Sequence, residues 1–300
     1  MWCAIHWSRG LWMRMIKASL DAADGVAKFT INSIALRAYF MPARCRKCFK
    51  KRSKIHSMKL IDFIAQQVLA EAVVQLLDGA AQLLIDAEQD FEKNVIDPFI
   101  AMIEMAGFGS SAQQWEANEK QRQVQKTLQN RIGAFHQTVL GSMKGWQSLP
   151  TGGIVDVIHE ERKIIAEIKN KFNTMNAGSA NNLFNTLDNE VSRKNSSFYG
   201  YQAYVVHVIP KTAQGVDQLF APSNPETGKS RENKLIRQMD GRRFYALASG
   251  CDNAMQLVFD DMLRISESYA AKSKNRFGQT EHMVLQAYFK KAFDPTLPSS

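Results

Sequence analysis

Cysteine is scarce over most of this 300-residue chain. Of the four present, Cys3, Cys45 and Cys48 fall in the first 57 residues, leaving only Cys251 for the rest. That excludes a disulfide framework and fits a reducing compartment, so the expected location is the cytoplasm. Cys45-Arg-Lys-Cys48 has the spacing of half a zinc site, but no second pair follows and His56 is the one nearby addition, short of the four ligands a structural zinc takes. Eight prolines, 17 glycines and 45% apolar residues exclude a collagen-like or disordered chain. No G-x-S-x-G or H-E-x-x-H occurs, and Gly152-Gly153 lacks the strand-to-helix frame of a phosphate loop. His136, His159, His207 and His282 are scattered without ligand spacing.

Acidic residues are also missing from one end. Residues 1–57 hold 12 Lys and Arg against Asp21 and Asp24, whereas residues 58–300 hold 26 bases and 27 acids. The net charge of +9 therefore belongs to the leader, and the body is close to neutral. Whole-chain basicity is then poor grounds for assigning nucleic-acid binding to the body. The leader carries Trp2, Trp7 and Trp12, shows no clear periodicity and ends in the cationic run 44–54. It lacks the order of a signal peptide and has no apolar run of the ~18 residues a membrane helix needs. Two readings stand: a basic arm drawn to DNA or a membrane surface, or upstream sequence translated from too early a start, with Met58 opening the protein. The composition break at Met58 favours the second, giving a leader over 1–57 outside the fold and a single domain with an N-terminal helical layer over 58–300.

From Met58 onward, Leu60, Ile61, Ile64, Val68, Leu69, Ala72, Val73, Leu76 and Leu77 recur at helical spacing, which predicts a helix ending or breaking near Gly79. A second helix is expected over 80–93, a new start at Asp97-Pro98 and a polar, Gln-rich helix over 111–140. The texture changes at Leu149-Pro150-Thr151-Gly152-Gly153, a turn cluster. Apolar runs over 154–158 and 163–169 then read as a β-hairpin, residues 202–209 as a third strand, residues 179–193 as a helix, and the chain beyond Asp240 as helical again. Helices, then strands, then helices indicate an α/β (α+β) domain with a central mixed β-sheet flanked by helices.

The hairpin carries the chemistry. Side chains alternate faces along a strand, so Glu167 and Lys169 share one face while Ala166 and Ile168 take the other. A turn centred on Glu161-Arg162 sets Asp156 opposite Glu167, with Cβ atoms ~5 Å apart. Two carboxylates this close repel unless a cation lies between them, and Mg²⁺ suits two carboxylates plus a carbonyl. Lys169 would then orient or help deprotonate a water attacking phosphorus. Judged as D-x10-E-x-K alone, the pattern is equally an edge strand with a solvated Glu–Lys pair. The amide and ammonium donors of Asn170-Lys171-Phe172-Asn173-Thr174 suit phosphates and base edges.

At these residues the chain resembles a known family. Gly153-Ile154-Val155-Asp156-Val157 followed by residues 164–176, IIAEIKNKFNTMN, is similar to the active-site block of type II restriction endonucleases that cut GGNCC- or GGWCC-like sites. Flanking segments agree: Phe135-His136-Gln137, residues 141–146, residues 201–211 and residues 240–245. The resemblance implies a PD-(D/E)xK nuclease core, although Val155 rather than proline precedes Asp156. Carried over residue by residue, it makes Asp156, Glu167 and Lys169 the catalytic trio, with Asp156, Glu167 and the carbonyl of Ile168 holding Mg²⁺. The DNA contacts expected are Lys171 and Asn173 first, then Asn181, Asn182, Arg193 and Lys194, and last Arg242 and Arg243. Lys171, Arg193, Lys194, Arg231, Arg242 and Arg243 should cluster on one face.

The implied function is Mg²⁺-dependent hydrolysis of double-stranded DNA at a short, nearly palindromic site by a homodimer. A cognate DNA methyltransferase would be its functional partner, and no membrane is involved. A repair or junction nuclease with the same carboxylates, and a non-catalytic DNA-binding protein, are the alternatives.

Overall fold

The computed structural model describes residues 61–150, 152–223, 228, 230–273 and 275–296. It divides the chain into units Met1–Lys59 and Leu60–Ser300, and every described residue belongs to the second. The expectations for the basic leader and for Met58 as a start lie outside the described residues.

Three helices come first: α1 (Gln66–Lys93), α2 (Pro98–Phe108) and α3 (Ala112–Gly141). The expected break at Gly79 does not occur, and α1 runs straight through it. Glycine inside a helix costs only about 1 kcal/mol. Here it makes room for α3, because a Cβ at Gly79 would collide with the Arg131 guanidinium. The other boundaries follow from capping. The Asp97 carboxylate accepts from the Phe99 and Ile100 N–H groups with Pro98 at the first helical position, and Ser111 and Gln114 form a capping box at the head of α3. By length and composition α1 is apolar enough to cross a membrane. In this fold its Leu69, Ala72 and Val73 are buried in the core, where it packs on α3.

A six-stranded mixed sheet comes next, in the order β1-β2-β3-β4-β6-β5. Its strands are β1 (Gln147–Ser148), β2 (Val157–His159), β3 (Ile164–Lys171), β4 (Gln202–Ile209), β5 (Asp217–Leu219) and β6 (Ile236–Asp240). Helix α4 (Ala177–Ser192) carries the chain from the end of β3 to the start of β4, which makes those strands parallel. β6 adds parallel to β4, while β1, β2 and β5 are antiparallel to their neighbours. After β6 come α5 (Gly241–Ser249), α6 (Ala254–Ser273) and α7 (Gln279–Phe293).

The sheet is buried on both faces. Ala166, Ile168, Tyr204, Val206 and Val208 pack under α1, α3, α5 and α6. Ile165, Ala203, Val205 and Ile236 face Phe184, Leu187 and Val191 of α4. This two-sided burial explains why β4 reads as an unbroken apolar run, QAYVVHVI. Trp146, just before β1, ties that end of the sheet to α5, donating its indole N–H to the Ala248 carbonyl at 3.2 Å and meeting Phe244 edge-on.

α5 approaches β4 so closely that a Cβ at Gly241 would lie 2.5 Å from the Val208 carbonyl oxygen and 2.8 Å from its Cα. Backbone atoms of a central strand cannot yield as a side chain can. Gly241→Ala is therefore expected to destabilise the domain by about 1–3 kcal/mol, read as a lower urea midpoint at unchanged slope.

Candidate active site

The hairpin register is the one that a turn centred on 161–162 requires: Val157 pairs with Ala166, Ile158 with Ile165 and His159 with Ile164. Lys163, at φ 51°, makes the tight return. β2 is shorter than the apolar run suggested, so Asp156 stands one residue ahead of it, where the register extended by one step meets Glu167.

That extra residue is firmly held. The Asp156 N–H donates to the Ala166 carbonyl at 3.0 Å, and its own carbonyl accepts from Leu149 N–H at 2.8 Å. Its carboxylate Oδ2 accepts from the Ile168 N–H at 2.6 Å, taking the place of a β2 partner at the point where β2 has ended. Within a strand the N–H and C=O of one residue point to the same side. The Ile168 carbonyl therefore also faces this edge, beside the two carboxylates.

Lys169 Nζ donates to Glu167 Oε1 at 2.6 Å, with Glu167 mostly buried and Lys169 about one-third exposed. The Asp156 and Glu167 carboxyl groups lie near enough for each to feel the other, and both feel the Lys169 ammonium. The three side chains therefore converge. Both carboxyls titrate above their ordinary range: for each the larger cause is burial, and for Glu167 the next is the charge of Asp156. The Ile168 N–H and the Lys169 ammonium pull Asp156 back down, and Lys169 does the same for Glu167.

Two participants were not singled out from sequence. Gln137 of α3 hydrogen-bonds the Asp156 carboxylate through its side chain, while its backbone carbonyl accepts from Ser148 Oγ at 3.1 Å. It thus ties α3 to both β1 and the site. The available signal was a polar residue between the apolar positions Phe135 and Val139 of an amphipathic helix, both of them buried here. His207 is paired in register with Lys169 on one side and Asp240 on the other. It is buried, its Nε2 has no hydrogen-bond partner among the described residues, and burial, then the neighbouring ammonium, hold its pKa down. Asp240, also buried, is occupied by the N–H groups of Val216 and Arg243 and by the Arg243 guanidinium.

The expected DNA contacts are dispersed. Lys171 and Asn173 are exposed at the end of β3 and in the loop after it, next to the site, although Lys171 also lines an apolar cavity with Tyr245 and Phe289. Asn182 is exposed on the first turns of α4. Asn181 is buried, and its amide donates to the carbonyls of Ala177 and Ser223. Arg242 and Arg243 are half-buried and each engages one guanidinium nitrogen with the fold, Arg242 with the Phe293 carbonyl at 3.0 Å and Arg243 with Asp240 and the Gln214 carbonyl. Arg193 and Lys194 are exposed but follow the C-terminus of α4, which returns the chain to the start of β4. They sit at the opposite end of the parallel strands from Lys171, and Arg231 stacks over Phe184 in the middle of α4. The six cations do not form one face.

With the geometry in hand, comparison with known proteins settles the family. The sequence model of the Eco47II restriction endonuclease family matches residues 61–269. The chain belongs to that family. The type II restriction enzyme Eco47II of Escherichia coli is 43% identical over 200 residues, covering 66% of this chain and 83% of the relative. The type II restriction enzyme Sau96I of Staphylococcus aureus is 28% identical over 238 residues, covering 76% and 90%. No solved structure matches. The protein is thus a nuclease of the type II restriction class, a site-specific endonuclease, which decides between that reading and the repair-nuclease and non-catalytic alternatives.

Holding two ionised carboxylates together costs stability that only a cation offsets. The sign follows from linkage: both pKa values lie above those of the unfolded chain, so the pair weakens the fold once pH exceeds them and the penalty fades on acidification. Asp156→Asn keeps an acceptor for the Ile168 N–H and removes the repulsion. At neutral pH its Tm is expected to equal the parent's or exceed it by about 2–4 °C, and if the pair holds Mg²⁺ the ion is expected to raise the Tm of the parent but not of the variant. A scanning fluorimetry titration with and without Mg²⁺ measures both.

Proposed function

We infer that the protein hydrolyses both strands of double-stranded DNA at a short GGNCC- or GGWCC-like site, with Asp156, Glu167 and the Ile168 carbonyl as Mg²⁺ ligands and Lys169 beside the attacking water. The observation that carries this reading is the convergence of one ammonium and two carboxylates at a strand edge that β2 leaves open. The donor set fits magnesium, which prefers oxygen ligands and keeps several waters, so few protein ligands suffice. Among the described residues no cluster of three or more His, Cys, Asp or Glu competes for a metal. Bound there, the ion would polarise the scissile phosphoryl group and acidify a coordinated water.

The protein's own residues do the rest. The Ile168 N–H and the Gln137 side chain fix the rotamer of Asp156, and the short return at Lys163 fixes its height relative to Glu167. Lys169 is tied to Glu167 by its ammonium, and once those oxygens turn to a metal it is placed to orient the nucleophilic water and accept or return a proton. The site lies toward the C-terminal end of β3, at the end where loops of open α/β sheets take ligands. The exposed residues Phe172, Asn173 and Thr174 are placed there to meet DNA.

A near-palindromic site calls for two such centres related by a two-fold axis, hence a homodimer. Such an enzyme acts in the cytoplasm beside a methyltransferase that protects the host's own sites, a partner in function rather than in contact.

Digestion of DNA of known sequence in Mg²⁺, followed by end mapping, is expected to give discrete fragments ending at one short motif. Glu167→Ala and Lys169→Ala are each expected to lower the cleavage rate by at least about 10³-fold with the fold intact by circular dichroism. Cleavage by either variant at the parental rate overturns the assignment.

A further inference from the structure

The first three helices do two different jobs. α3 is ~45 Å long, and only its C-terminal half, through Phe135, Val139 and Leu140, enters the main core. Its N-terminal half forms a separate arm with the end of α1 and with α2, whose buried residues Leu83, Ala101 and Trp115 belong to neither main cluster. The arm is pinned by polar contacts. Lys120 bridges Glu88 and Glu116, Asn94 donates to Gln123 at 2.8 Å, and the Trp115 indole N–H donates to Glu104 at 2.7 Å.

Glu104 is the one charged residue of α2, PFIAMIEMAGF, and it is turned inward to Trp115. The outer side of the helix carries no charge at all. Among the described residues nothing covers it: Val95, at the approach to the helix, is 99% exposed, and Phe99, Ile100, Met102, Ile103 and Phe108 are 55–80% exposed. A helix that is apolar all round belongs inside a protein, yet only Ala101 of α2 is buried. These six side chains leave on the order of 800 Å² of apolar surface in water, beyond the ~300–600 Å² largest patch of a typical monomer and near the ~800 Å² each partner contributes to a standard interface.

We propose that α2 and the Val95 approach form the interface with a second copy of this chain, α2 packing against its two-fold mate. The inference rests on the nuclease reading for its need of a dimer and adds the surface that makes it. The absence of charge argues against a DNA backbone or an acidic partner. The patch matches one half of a dimer contact in area, and an isologous contact asks only that the patch fit itself. It also lies on an arm with its own small core, so pairing there leaves the sheet edge at Asp156 uncovered on each subunit.

Sedimentation of the full-length protein at micromolar concentration should give a dimer. The double variant Phe99→Glu/Ile103→Glu, which sets two charges one helical turn apart on this face, should sediment as a monomer with unchanged circular dichroism, while Phe99→Leu stays dimeric. The double variant should nick supercoiled DNA but lose at least 100-fold in double-strand cleavage. As a check needing no mutation, hydrogen exchange of the α2 segment in the parent should slow as protein concentration rises from about 0.1 to 20 µM. The interface is overturned if the parent is a monomer, if the double variant remains a dimer, if protection of α2 is independent of concentration (cover from the same chain), or if it appears only with lipid vesicles. Failure of the nuclease reading would show separately, as no Mg²⁺-dependent cleavage by the parent, because sedimentation and exchange need no catalysis.

Discussion

Two carboxylates that would rather be apart are held together by a backbone amide and an ammonium, and most of the molecule serves that arrangement. Asp156 accepts from the Ile168 N–H at 2.6 Å and Glu167 from Lys169 at 2.6 Å. Each contact stabilises one anion, but neither removes the burial and mutual charge that raise both pKa values. On the proposed reading a divalent cation would relieve that repulsion, so metal affinity and the cost of holding the pair together would have one origin. The rigid part is the sheet: β3 is paired along its length with β4, which is buried on both faces, so Glu167 cannot retreat from Asp156 by moving its backbone.

Position explains why so few residues suffice. β2 stops at Val157 while β3 runs on to Lys171. The strand beyond that stop is an unsatisfied edge, ordinarily a liability. Here one of its N–H groups is capped by an acidic side chain, and the neighbouring carbonyl becomes a third oxygen at the same place. A β2 two residues longer would pair with Ile168 and leave no room for a cation. Leu149, Pro150, Gly152 and Gly153, which lie between β1 and β2, therefore help to shape the site.

The hairpin was legible because its information is local. A four-residue return and period-two alternation fix which residues face one another, and the observed pairing of Val157 with Ala166 is that register. β4 was legible for a similar reason, its apolar run and the Pro210 stop coinciding with the strand. What sequence reading lacked was non-local. β6, IRQMD, alternates weakly and becomes a strand because β4 offers it an edge. Gly79 reads as a helix break until α3 is seen crossing it. Gln137 and His207 are unremarkable in one dimension and acquire meaning only where α3 reaches Asp156 and β4 aligns with Lys169. The resemblance supplied residue types for the DNA contacts but not burial, and so it could not reveal that Asn181, Arg242 and Arg243 are engaged within the fold.

That internal use of cations bears on how DNA is chosen. Residues 58–300 carry 26 bases and 27 acids, and several of the described bases are tied to carboxylates of the same fold: Arg237 to Asp217, Arg243 to Asp240, Lys120 to Glu88 and Glu116. On the proposed reading, the attraction of residues 58–300 to phosphate, the sequence-independent part of binding, would be small, and the +9 of the whole chain rests on residues 1–57. Residence at a site would, on the same reading, depend on contacts to bases presented beside β3, where Asn173 and Lys171 are exposed. Selectivity would then arise from a few directional donors near the proposed metal ligands.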